Sequence, residues 1–172
     1  MGNLLKKGII IAGFAGIGKT TLAKKYKNVI DIESSYYKWD NTGLEYTNTE
    51  NRKGIVLPEN PNWPNNYINK IKEAQLMYDI VLVWVHPDAL DIYDKEKLEY
   101  IIIYPSKDSL SIYKQRYYNR GNTEKYISRI IDTYDMRKRQ FDKKNAQKVI
   151  LENDETLEDY LIKNDYYLED AV

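Results

Sequence analysis

The residues best equipped for chemistry lie in one run, Gly8 to Thr21, which reads GIIIAGFAGIGKTT. Its second half, Gly13 to Thr20, satisfies the pattern G-x-x-x-x-G-K-[ST] at every fixed position. The chemistry this implies is the binding of a polyphosphate. Gly13, Gly16 and Gly18 allow the chain to wrap so that backbone N–H groups, those of Ile17 and Thr21 included, point at phosphate oxygens. Lys19 sets an ammonium against the β- and γ-phosphates, and Thr20 offers a hydroxyl to Mg²⁺. A helix starting at Gly18 adds the attraction of its N-terminal dipole. ATP and Mg²⁺ are the expected cofactors.

Two further sets of residues belong with this loop by type and spacing. In VIDIESS, Asp31 and Glu33 share one face of a strand because side chains alternate with period two. In YKQRYYNRGNTEKYISR, Arg116 and Arg120 are four apart and so share a helix face. Phosphoryl transfer spreads negative charge over equatorial oxygens, and cations placed around them supply much of the catalysis. A helical hairpin turning at Gly121 would carry that arginine pair over the γ-phosphate as a lid, covering roughly residues 106–130.

The elements that must hold these groups follow from periodicity. Apolar β-branched runs at 9–12, 29–32, 80–85, 100–104 and 149–151 alternate with helical patterns at 20–27, 63–78, 88–98, 106–119, 123–144 and 156–167. Alternation of this kind predicts βαβ units around a parallel sheet, in one α/β domain spanning 1–172. IVLVWV at 80–85 is apolar throughout, as a central strand covered on both faces requires. Ligands of such sheets bind beyond the carboxyl ends of the strands, so Glu33 is expected to face the Gly13–Thr20 loop across a crevice. Residues 34–62 break the pattern and read as a binding insert; the last four residues, EDAV, read as a frayed tail.

Composition excludes several alternatives. Lys plus Arg equals Asp plus Glu at 26 each, so no global positive field holds the chain on nucleic acid. There is no cysteine, hence no disulfide, thiolate metal site or thiol nucleophile. No segment reads as a signal peptide or membrane span, and a cytoplasmic monomer or homodimer acting on a small-molecule nucleotide is expected. The third strand ends VWVHPDA rather than in Asp or Asp-Glu, and no Asn/Thr-Lys-x-Asp guanine motif occurs, which disfavours strong hydrolases and GTPases.

The order of strand, GxxxxGKTT loop, second strand ending in acid plus serines, insert, strand, helix, strand and Arg-x-x-x-Arg hairpin resembles the adenylate-kinase-like nucleoside monophosphate kinases. More narrowly it is similar to small phage-encoded nucleotide kinases. That resemblance implies a three-layer P-loop fold with a five-stranded parallel sheet ordered 2-3-1-4-5, a catalytic Lys19, lid arginines at Arg116 and Arg120, and an acceptor nucleotide held by the insert. The Asp-Gly-Phe-Pro-Arg run of adenylate kinase is absent; VHPDA stands there.

For the acceptor, Arg52 and Lys53 are candidate phosphate contacts, with Ser34 and Ser35 beside them. Tyr36, Tyr37 and Trp39 are candidate base-stacking residues, though the same rings equally suit packing on the core. His86, the only histidine, stands at a strand end near the crevice, and Arg129 is the best placed of the arginines after the hairpin. If the acceptor is a hydroxyl (of a nucleoside, a metabolite or a polynucleotide end) Asp31 or Glu33 becomes the base that takes its proton. A slow ATPase or DNA-associated switch is the remaining alternative, with RYYNR stacking on single-stranded bases.

Overall fold

A computed structural model of the chain describes residues 7–42 and 56–171. Five strands form one parallel sheet: β1 (Ile9–Gly13), β2 (Val29–Asp31), β3 (Ile80–Trp84), β4 (Tyr100–Pro105) and β5 (Gln147–Leu151). Their spatial order is β2-β3-β1-β4-β5, as expected. β1 is central, in register with β3 from Ile9–Ile80 to Gly13–Trp84 and with β4 from Ile10–Tyr100 to Gly13–Ile103. Ile10, Ile11, Ala12 and the IVLV run of β3 are buried, because helices cover both faces and leave no solvent side for polar residues.

The helices are α1 (Lys19–Lys25), α2 (Ser35–Lys38), α3 (Asn65–Met77), α4 (Pro87–Lys95), α5 (Leu110–Asn119), α6 (Glu124–Asp132), α7 (Tyr134–Asp142) and α8 (Leu157–Lys163). α3 buries Tyr67, Ile68, Ile71 and Ala74, the apolar stripe its spacing predicts. α5 stops at Arg120 through a Schellman motif. Asn122 N–H donates to Tyr117 O at 3.1 Å, Gly121 N–H to Tyr118 O at 2.9 Å, and Gly121 takes the left-handed φ of 76° that the motif requires.

Three expectations are corrected. The single helix expected over 123–144 is two helices broken at Thr133. Its hydroxyl donates back to Arg129 O at 2.6 Å and accepts from Arg137 Nε at 3.0 Å, and such back-bonding bends a helix. The insert is not structureless at its base: besides α2, Trp39 bridges Glu59 in antiparallel fashion, Asp40 N–H donates to Pro58 O and Asn60 N–H to Lys38 O. Arg52 and Lys53 lie outside the described residues.

The third correction concerns the tail, which is tied down rather than frayed. Lys27 N–H donates to Glu169 O at 2.8 Å, Ala171 N–H to Lys25 O at 2.9 Å, and Asp170 bridges Tyr26. Buried Asn28 organises the contact. Its amide donates to Asp79 Oδ2 and to Tyr167 O, each at 2.9 Å, and its Oδ1 accepts from Glu169 N–H at 2.9 Å. Asn28→Ala leaves buried backbone groups without partners and is expected to lower the unfolding free energy by about 1–3 kcal/mol. Denaturant titration, with amide exchange at Glu169 and Ala171, measures this; unchanged stability and protection would refute the role given to Asn28.

Candidate active site

The phosphate loop follows β1 and opens α1, with Gly18 as N-cap and no side-chain cap on its free N–H groups. Its outward carbonyls are taken by two other elements, α5 and α8. Ala15 O accepts from Tyr117 Oη at 2.6 Å, Gly16 O from Arg116 Nη1 at 3.0 Å, and Ile17 O from Leu157 N–H at 2.9 Å. Among the described residues no acceptor takes the N–H groups of Ala15, Gly16 or Gly18. The loop thus presents donors inward because its acceptors are engaged outside, the electrostatics a phosphate needs. Gly16, at φ 86°, has no room for a side chain: a Cβ there would sit 2.9 Å from Tyr117 Cε1.

Lys19 Nζ rests on Gly13 O at 2.7 Å. Burial lowers its pKa, Asp31 and Glu33 pull it back up, and Arg120 lowers it further. Across from it, Thr20 Oγ1 donates to Asp31 Oδ2 at 2.9 Å. Burial raises the Asp31 pKa, against the opposing pull of Lys19 and Thr20. A hydroxyl and a desolvated carboxylate are hard oxygen donors of the kind Mg²⁺ takes beside phosphate oxygens and water, so these two residues fit that ion. Bound there, Mg²⁺ would neutralise charge on the phosphates.

The loop faces an open cleft of about 1050 Å³. Glu33, Ser34, Ser35, Trp39, His86, Arg116, Arg120 and Arg129 all reach its walls, whereas Tyr37 does not: its ring packs at 5.6 Å from buried Tyr67. The two hairpin arginines do different things. Arg116 is fixed, donating to Gly16 O and to Asp154 O at 3.1 Å and lying 4.5 Å from the Tyr113 ring centroid. It braces the loop from outside instead of swinging over the γ-phosphate. Arg120, one turn further on, is exposed and carries its charge toward Lys19.

Several contributors were not legible in the sequence. Lys38 and Trp84 line the cleft from the ends of α2 and β3, and Arg137 lines it beside Arg129. Tyr67 holds the strand ends: its Oη accepts from Trp84 N–H at 3.1 Å and donates to Ile32 O at 3.2 Å, joining β2 to β3 beneath the cleft. A tyrosine hydroxyl on an otherwise apolar helix stripe needs a buried partner, and that is the signal by which it could have been found. Among the described residues, no group of three or more His, Asp or Glu side chains is arranged to hold a metal by itself, and no helix is long and apolar enough to cross a membrane.

No known family model matches this chain, and no curated protein does. Among solved structures, the tunicamycin resistance protein of Deinococcus radiodurans is similar, with a TM-score of 0.54 at 11% identity, over 96% of this chain and 99% of that one. Likeness at that identity shows the fold alone: a five-stranded parallel sheet, ordered 2-3-1-4-5, with helices on both faces.

Asp31 gives a test of what this geometry costs. A carboxyl whose folded pKa is raised stabilises the fold fully below its unfolded pKa, and that contribution is lost as pH rises through the folded value. Asp31→Asn, which keeps an oxygen for Thr20, is therefore expected to raise the thermal midpoint at neutral pH and to lose this advantage on acidification below the ordinary carboxylate pKa. Scanning calorimetry across that range measures it; a neutral-pH midpoint below the parent's would show the carboxylate to be a structural asset instead.

Proposed function

We propose that this chain transfers the γ-phosphoryl group of Mg·ATP to a nucleoside monophosphate. The observation that carries the reading is the charge on the cleft. Besides Lys19 it is lined by Arg116, Arg120, Arg129 and Arg137, and among the described residues none of these arginines is in an ion pair with a carboxylate. Asp31, Glu33 and Glu158 line the same cleft but are outnumbered, so a chain of zero net charge concentrates a positive surplus there that suits phosphorylated ligands. The cleft volume lies at the top of the range for small-molecule sites, in keeping with two nucleotides.

In this reading the loop N–H groups and Lys19 hold the β- and γ-phosphates. An acceptor phosphate oxygen attacks the γ-phosphorus in line, the bond to the bridging β–γ oxygen breaks, and ADP leaves with that electron pair. Lys19 and Arg120 stabilise charge on the transferring group, and Arg116 keeps the loop in shape. The acceptor oxygen is already nucleophilic, so no base is needed. A second reading, transfer to a hydroxyl, is favoured by one feature: Asp31 is half-buried, raised in pKa by desolvation and beside Thr20, as a general base would be.

ADP production from Mg·ATP against all common ribo- and deoxyribonucleoside monophosphates, with nucleosides and single-stranded DNA as separate arms, discriminates these readings. Acceptor-dependent turnover with monophosphates is expected; turnover only with nucleosides, or hydrolysis driven by DNA, would replace the reading. With the working acceptor, Lys19→Ala and Arg120→Ala are each expected to lower kcat by about 10²- to 10³-fold. Arg120→Ala should leave the apparent affinity for ATP within a few fold, and near-normal turnover in either variant would remove that residue from the mechanism.

A further inference from the structure

The end of the cleft away from the phosphate loop has its own charge. Lys38 closes α2, and its Nζ lies 5.1, 5.5 and 5.9 Å from the ring centroids of Trp39, Trp84 and Trp63. Three indole faces hold this ammonium in place while leaving its N–H donors unspent, since a ring face stabilises the cation without accepting a directed hydrogen bond from each proton. No carboxylate pairs with Lys38 among the described residues. Arg129 and Arg137 enter the same region from either side of the break at Thr133, close enough that Arg129 depresses the Arg137 pKa, second only to burial.

His86 lines the cleft with these three side chains, Lys38, Arg129 and Arg137. Its ring stacks on Trp84, centroids 4.7 Å apart and planes 17° from parallel. It is the N-cap of α4, with Nδ1 accepting from Asp88 N–H at 3.3 Å. With Nδ1 engaged as an acceptor, the neutral ring carries its proton on Nε2, which makes the second nitrogen a donor. Every charged or titratable neighbour acts on it. Burial lowers its pKa, Asp88 opposes, and Arg137, Lys38 and Arg129 lower it again. Asp88, the single carboxylate among these, is 3.6 Å away and its side chain is 76% exposed, so it neutralises little.

The four side chains therefore bring donors and positive charge to one cleft, with no free acceptor among them for a hydroxyl or an amino group. A phosphate monoester dianion matches that demand, with three terminal oxygens to share among them. We propose that Lys38, Arg129, Arg137 and His86 form the docking site for the acceptor's phosphate, distinct from the loop that holds ATP. The site rests on the nucleotide-kinase reading and sharpens it: the acceptor enters already phosphorylated, and a bare nucleoside, which offers no anion to these cations, binds far more weakly.

Because the chain has one histidine, its imidazole resonances report on this site alone. The titration follows them in the full chain, without ATP, against nucleoside 5′-monophosphates, the matching nucleosides and inorganic phosphate. A bound dianion is expected to move the His86 signals and raise its pKa, with inorganic phosphate doing so more weakly and nucleosides not at all. Lys38→Met keeps the contact with the indoles and removes the charge. It is expected to weaken monophosphate binding about 10- to 100-fold while Mg·ATP affinity, measured separately by calorimetry, stays within about twofold. Equal response to nucleosides, or no response from His86 to any monophosphate while Mg·ATP binds normally, would overturn the site. Loss of Mg·ATP binding in the parent chain would instead overturn the kinase reading on which it rests.

Discussion

The hydrogen bonds on which the structure turns are those made by the outer side of the phosphate loop. A loop rich in backbone dipoles attracts an anion only if its N–H groups point one way and its carbonyls the other. Here that separation is enforced by two elements distant in sequence, α5 through Tyr117 and Arg116 and α8 through its first turn. Each of these contacts also ties an element to the loop: α5 is docked by two side chains, and α8 finds a partner for one of the N–H groups its own first turn leaves open. The arrangement of helices on this side of the sheet is, in this sense, what phosphate binding asks of the fold.

The opposite side of the cleft is built on a different principle. Tyr67, fully buried, joins the ends of β2 and β3 through one hydroxyl and packs between Trp63 and Tyr37. The aromatic cluster so formed reaches the surface as Trp84 and His86, and Lys38 lies across it. Backbone polarity holds one half of the site; ring stacking holds the other.

This difference accounts for what could be read from the sequence. The loop, the strand order and the placing of Glu33 across the crevice from it follow from local spacing and from the resemblance, because a short motif contains both the ligand groups and the geometry that aims them. The break at Thr133 was missed because a threonine inside a helical pattern bends it only when its hydroxyl turns back to the chain. The role of Arg116 was misjudged for a similar reason: spacing places it on a face with Arg120 but says nothing of the carbonyls of Gly16 and Asp154 that hold it. The tail was misread because its partner, Asn28, is an ordinary turn residue in the sequence and a buried junction in the fold. Long-range polar contacts are where periodicity carries no information.

Lys38, Trp39 and Asp40 meet Pro58, Glu59 and Asn60 in a short stem. Closing a chain across such a stem depends only weakly on how much chain is closed; doubling the length adds roughly 0.6 kcal/mol. Insertions and deletions past Trp39 are therefore thermodynamically cheap, while Lys38 and the indoles beneath it stay in place. The phosphate loop, whose every outward carbonyl is spoken for, has no comparable freedom.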